Sequence, residues 1–258
     1  MRLRVRMPVR VRGPVVGLLV AALLSGCAQS VDPIERLGKK AAQRVHPQET
    51  AYRRWGLAAP LAPAPRAPAR TAARTAGPGL PPVVDHVRTR DKVVFLTYDD
   101  GAERDPRFVD MVRELRLPVS MFLTDSVVGP GYAHFARLRE VGATVQNHTL
   151  DHASLRGLPY AGQRAEICGQ QDKLRQRFGI RPRLLRPPYG RYDATTLRAA
   201  GDCGVSAVVL GRAPGTHRLR PGDILTGFEE PDLTDATVRL LRRIQAEGLT
   251  PARLENYL

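Results

Sequence analysis

From Asp91 to the C-terminus, short apolar β-branched runs alternate with stretches of helical spacing, and this alternation restricts the fold more than any other feature of the chain. Val93-Val94-Phe95-Leu96-Thr97-Tyr98 reads as a buried strand, and residues 106–117 place Phe108, Met111, Val112 and Leu115 at helical spacing. Asp105 stands at the N-cap position. Pro106 follows at the first helical position, where its missing N–H removes no intrahelical bond. The pattern continues with strands over 119–123, 143–146, 183–185, 206–210 and 223–225, and helices near 132–140, 160–178, 194–200 and 234–247. Repeated βα units with short connections predict a parallel sheet, open or closed into a barrel. Roughly 170 residues fall short of the ~250 of a full eightfold barrel, so a shorter or distorted barrel is expected. A domain of that size buries about 70% of its unfolded surface, enough to fold without a staple.

The first 86 residues have a different texture. Residues 1–13 are Arg-rich, and 14–24 form an apolar run of the length of a signal-peptide core, well short of the ~20 residues that span a bilayer. Residues 1–26 are therefore expected to be an export signal. Leu24-Ser25-Gly26-Cys27 resembles a bacterial lipobox, which implies that Cys27 carries a lipid and begins the mature protein. Acyl chains contribute about 0.8 kcal/mol per buried CH₂, so two or more give a stable anchor. The expected location is extracytoplasmic, lipid-anchored to the bacterial cell membrane. Residues 27–86 lack sustained apolar periodicity and turn rich in Ala, Pro and Arg from Ala59 through Pro82; they read as a disordered tether that also holds Trp55, the chain's single Trp. Extended, the stretch from Pro60 to Pro82 reaches about 70 Å. The foldable domain is then 87–258.

Composition sets outer limits. With 43% hydrophobic and 25% charged residues, the chain is neither wholly disordered, nor collagenous, nor a polytopic membrane protein. Its formal charge of +15 remains positive after the N-terminal arginines are set aside. Such a surface suits nucleic acid, anionic lipid or an anionic cell-wall polymer, and charge alone does not choose among them. The charge is almost entirely Arg, with Lys at Lys39, Lys40, Lys92 and Lys173, so a coding bias toward Arg explains it equally well.

Three constellations follow separate strands, at the ends where active sites of parallel α/β folds gather. Thr97-Tyr98-Asp99-Asp100-Gly101 sets two carboxylates side by side, tolerable in a solvated turn or beside a neutralising metal. Asn147-His148-Thr149-Leu150-Asp151-His152 spaces two histidines i, i+4, which on a helical turn puts both imidazoles on one face. No Glu lies between them, so any general base comes from elsewhere. Arg186-Pro187-Pro188-Tyr189-Gly190 joins a fixed backbone to a guanidinium fork suited to a carboxylate. Each motif alone also reads as ordinary structure: an Asp-Gly turn, a core histidine pair, a rigid Pro turn. Their recurrence in order after three strands favours one site.

At these residues the chain resembles the polysaccharide deacetylase family, carbohydrate esterase family 4, over roughly 92–258. The resemblance implies an α/β fold, a distorted (β/α) barrel, and hydrolysis of acetyl groups from cell-wall or chitin-like N-acetylated polysaccharide. It implies that Asp100, His148 and His152 bind a divalent metal ion, zinc first and other divalent ions also compatible with the donor set. It further implies that Asp99 is the base, that Arg186 orients it, and that the backbone N–H of Tyr189 faces the developing oxyanion. The expected partners are a glycan substrate and, through the anchor, a membrane, with no nucleic acid. The chain departs from the family pattern later. Gly211-Arg212-Ala213-Pro214 follows Leu210 where the family has a Trp and an Asp, and Gly227 or Phe228 stands where the family's proton-donating His belongs. Losing a general acid costs ~10²- to 10⁴-fold. His217 is a candidate substitute. Three readings remain: a deacetylase, weakened or not; a glycan-binding lipoprotein without turnover; and a hydrolase of another linear C–N bond. Cys168 and Cys203 remain as an even pair in an oxidising compartment, either disulfide-bonded or two inert buried thiols.

Overall fold

The computed structural model describes residues 47–66, 79–100, 104–226 and 232–258. The expected signal, Cys27 and the position of Gly227 and Phe228 lie outside the described residues. Among the described residues, eight parallel strands form one sheet. They are β1 (Val83–Val84), β2 (Val93–Asp100), β3 (Val119–Leu123), β4 (Thr144–Asn147), β5 (Leu184–Leu185), β6 (Ala207–Val209), β7 (Ile224–Leu225) and β8 (Thr250–Pro251). The order is β1-β6-β5-β4-β3-β2-β7, with β8 pairing the start of β2. The two edges meet: His86 bridges Asp223 in antiparallel fashion, and Val87 N–H donates to Gly222 O at 2.9 Å, curling the sheet into a distorted barrel. The helices are α1 (Pro47–Arg54), α2 (Pro106–Leu115), the single turn α3 (Asp125–Val128), α4 (Tyr132–Glu140), α5 (Tyr160–Phe178), α6 (Ala194–Asp202) and α7 (Leu233–Ala246). None of these is long and apolar enough to cross a membrane.

Strand periodicity sorts the core into an inside and an outside. Along β2, Val93 and Phe95 join Phe122, Leu184, Val209, Ile224 and Tyr257 in the barrel interior, while Val94, Leu96 and Tyr98 pack outward with Phe108, Met111 and Leu241 under the helices. The same alternation carries Thr97 and Asp99 to the inner side above Phe95. Asp105 caps α2 by accepting from Arg107 N at 2.9 Å, with Pro106 at the first helical position, as the sequence predicts. Cys168 of α5 and Cys203 at the end of α6 are joined by a disulfide, their Cα atoms 5.1 Å apart, which decides between the two readings of that pair.

The sequence reading of 27–86 as tether needs correction over 47–66 and 79–86. Helix α1 packs on α2: Ala51 and Leu57 are buried in the helix-side core, and Trp55 Nε1 donates to Glu114 Oε2 at 2.8 Å. Beyond it, Arg242 donates to Gly56 O at 2.8 Å, Gln245 to Ala59 O at 2.7 Å and Thr250 to Ala62 O at 2.5 Å. A Pro-rich segment lacks the N–H groups for a helix or ladder, but its carbonyls still accept side-chain donors from α7 and β8. Val83 and Val84 enter the sheet beside β6.

Candidate active site

The rim at the C-terminal ends of β2, β4 and β5 carries the three predicted constellations. Asp100 closes β2 with φ +62, which swings its carboxylate away from the strand alternation. After β4, His148 N–H donates to Leu123 O at 3.1 Å and Thr124 Oγ1 donates to His148 O at 2.8 Å, so this histidine is buried on β3 and the turn after it. The segment to His152 is not the helical turn that the i, i+4 spacing suggests. Thr149 (φ +73) and His152 (φ +59) adopt left-handed backbone, and the loop is pinned by Thr149 N–H to Asn147 Oδ1 and by the N–H groups of Leu150 and Asp151 to Glu166 on α5. Two positive-φ residues fold the loop back, which brings the two rings together without a helix.

The convergence is tight. Asp100 Oδ1 lies 3.2 Å from His148 Nε2 and 3.1 Å from His152 Nε2, and the two imidazole nitrogens are 3.2 Å apart. One ligand atom from each residue falls within 4.8 Å of the others. His148 Nδ1 sits 2.8 Å from the Arg186 carbonyl, an acceptor, so Nδ1 carries the proton and Nε2 presents its lone pair. Burial pushes the His152 ring below its ordinary value. Asp100 Oδ1 is buried without a hydrogen-bond partner. Three lone-pair donors crowded on one point, one of them an orphaned carboxylate oxygen, fit a divalent cation.

Asp99 sits beside this cluster, held by other means. Arg186 Nη1 donates to Asp99 Oδ1 at 2.5 Å and to Thr97 Oγ1 at 2.9 Å, and Thr226 Oγ1 donates to Asp99 Oδ2 at 2.6 Å. The Arg186 guanidinium is buried, 4.2 Å over the Phe122 ring. Tyr189 has φ +59 and a largely exposed ring set edge-on against His152, with centroids 4.9 Å apart. The Pro turn is therefore strained at Tyr189, while Gly190 (φ +65) takes left-handed backbone without steric cost.

His217 does not belong to this site. Arg243, in the last turn of α7, donates to the carbonyls of Gly215 and His217, and Gly222 N–H donates to Val93 O at the start of β2. The loop thus runs to the opposite end of the barrel from Asp99, which removes His217 as a substitute acid. Thr226 escapes sequence reasoning, because a lone hydroxyl just after a strand carries no signal of its own.

A family model described as polysaccharide deacetylase matches residues 86–208, spanning all three constellations. The chain belongs to the polysaccharide deacetylase family. An uncharacterised protein of Streptomyces coelicolor is 61% identical over 208 residues, covering 74% of this chain and 82% of its own. A chitooligosaccharide deacetylase of Bradyrhizobium sp. is 28% identical over 169 residues, covering 57% of this chain and 77% of its own. Among solved structures, a CE4 family pseudoenzyme from Bacillus anthracis superposes with a TM-score of 0.61 at 16% identity, covering 68% of each chain. At that identity the likeness is one of fold.

Proposed function

We propose that this polysaccharide deacetylase family member is a lipid-anchored, metal-dependent hydrolase that removes acetyl groups from cell-wall or chitin-like N-acetylated polysaccharide. The observation that carries the reading is the meeting of Asp100, His148 and His152 at one point, with Asp99 tied to Arg186 beside it. Asp100, His148 and His152 would hold the divalent ion, zinc first, with other divalent ions also compatible with a two-His, one-carboxylate set. Such an ion supplies Lewis acidity toward the acetyl carbonyl and acidifies water. Asp99 accepts the proton of the attacking water, Arg186 fixes the direction in which Asp99 faces, and the Tyr189 N–H is available to the oxygen on which charge develops. Water and the N-acetyl group give acetate and the free amine. Cys27 supplies the anchor, so a Cys27→Ser variant is expected to leave the membrane fraction or to remain unprocessed.

A second reading, a glycan-binding lipoprotein with impaired turnover, is favoured by one observation: His217, the substitute for the missing acid, faces the wrong end of the barrel. Acetate release separates the two. Purified protein stripped with a chelator is expected to release no acetate from an N-acetylated glycan, and to regain release on addition of zinc. Glycan binding without acetate release from the zinc-loaded protein would establish the second reading instead.

A further inference from the structure

Thr226 has one hydroxyl proton, and its geometry gives that proton to Asp99. Thr226 Oγ1 lies 2.6 Å from Asp99 Oδ2 and itself accepts from Arg186 Nη1 at 3.1 Å. Arg186 Nη1 also reaches Asp99 Oδ1 at 2.5 Å. A carboxylate anchored at one oxygen turns readily about its last torsion, whereas one anchored at both keeps its plane and leaves a defined set of lone pairs for a further donor. Asp99 is anchored at both, from the loop after β5 and from the end of β7.

The place of Thr226 depends in turn on Gly211. A Cβ at Gly211 would stand 2.3 Å from Thr226 Cγ2, 2.9 Å from its Cβ and 3.0 Å from Arg186 Nη2. The two strand ends run side by side here, with Thr226 N–H donating to Arg212 O at 3.0 Å, so a side chain at 211 has no room unless Thr226 moves.

We propose that Thr226 is a positioning residue that fixes the Asp99 carboxylate, and that Gly211 is the cleared space that allows it. The proposal rests on the reading of Asp99 as proton acceptor in glycan deacetylation. Thr226→Val keeps the side-chain shape and removes the proton; Thr226→Ser restores the proton. In zinc-loaded protein, Thr226→Val is expected to lower kcat for acetate release at least about tenfold with KM within about twofold, and Thr226→Ser to recover kcat to within about threefold of the parent. Zinc affinity should be the same in all three. Gly211→Ala should reproduce the Thr226→Val behaviour from a different position, and it serves in place of that variant should Thr226→Val not fold.

Crystal structures of the variants give a readout that needs no turnover. The Asp99 carboxylate plane should be rotated in Thr226→Val and Gly211→Ala and native in Thr226→Ser. Parental kcat in Thr226→Val, equal losses in the Val and Ser variants, or an unmoved Asp99 in the Val or Ala crystals would each overturn the proposal. Absence of acetate release from the parent protein would instead strike the functional reading, leaving the crystal comparison to decide the role of Thr226.

Discussion

At the C-terminal rim of the barrel, Asp100, Thr149, His152 and Tyr189 all hold positive φ. At the opposite end, the segment after α1 is tied to α7 and β8, and Glu255 Oε1 accepts from Ser120 at 2.9 Å, Thr144 at 2.6 Å and Gln146 at 3.0 Å. Arg116 is the remaining non-glycine residue with positive φ among those described, and it sits at the C-cap of α2, where left-handed backbone is ordinary. Left-handed backbone costs a non-glycine residue about 1–3 kcal/mol, and it persists only where the surroundings enforce it. The rim therefore holds groups in place at the expense of stability, and the far end restores stability through packing. The contrast predicts that substitutions at the rim alter chemistry first, and substitutions elsewhere alter stability first.

The largest effect is expected at Asp99. Asp99→Asn should lower the rate of acetate release by ~10²- to 10⁴-fold, the usual cost of a lost general base. Zinc affinity, read by titration, should stay within about threefold of the parent, because Asp99 lies outside the three-residue cluster. Loss of zinc binding in this variant would merge two groups that the geometry separates.

Breaking the crosslink between α5 and α6 comes next. The disulfide closes a 35-residue separation, and chain entropy assigns such a loop about 4 kcal/mol of stability. Cys168→Ser with Cys203→Ser should show that loss in urea unfolding. The α5 helix also carries Glu166, which holds the His148–His152 loop, so a coupled fall in zinc affinity of more than about tenfold would show that the rim depends on this staple more than the comparison allows.

Leu57 tests the far end directly. It is 5% exposed in the helix-side core, within a stretch whose composition reads as linker. Leu57→Ala should cost about 2–3 kcal/mol, measured by denaturant midpoint, with zinc affinity unchanged. A stability change below about 0.5 kcal/mol would return 47–66 to the status of a tether.

The smallest expected effect is on acid stability. Burial would raise the Asp193 carboxyl, but the N–H groups of Gly157 and Thr196 and the side chains of Gln163 and Thr196 bring it down to about 2. Its folded value lies below its unfolded value, so its contribution is complete above about pH 4 and is lost as pH falls toward 2. Asp193→Asn should therefore lower the unfolding free energy near neutrality and flatten its fall between about pH 4 and pH 2, so that variant and parent converge as the pH approaches 2.

How far the sequence discloses this arrangement depends on how local each signal is. Strand β2 is legible because six consecutive apolar or β-branched residues, Val93 to Tyr98, mark it, and β3 because only Ser120 interrupts its apolar run. By contrast, β1 and β8 are two-residue strands whose register comes from β6 and β2, and no local pattern announces them. Helix α1 is hidden by its Ala, Pro and Arg surroundings, since its burial depends on Glu114 and α7, far along the chain. The site shows the same division. Asp99, Asp100, His148, His152 and Arg186 stand out as paired or spaced chemistry next to strands, whereas Thr226 gains its role from a partner 127 positions away. The histidine pair was legible in identity but not in conformation, because i, i+4 spacing suits a helical turn and a doubly left-handed loop alike.

In the proposed function, Asp100, His148 and His152 together hold a single cation. Calorimetric titration of chelator-stripped protein with zinc tests it most directly, run in parallel on the parent and on His148→Ala. One equivalent of tightly bound zinc in the parent, weakened at least about hundredfold in His148→Ala, is the predicted result. Equal zinc binding by both proteins, or none by the parent, would contradict it.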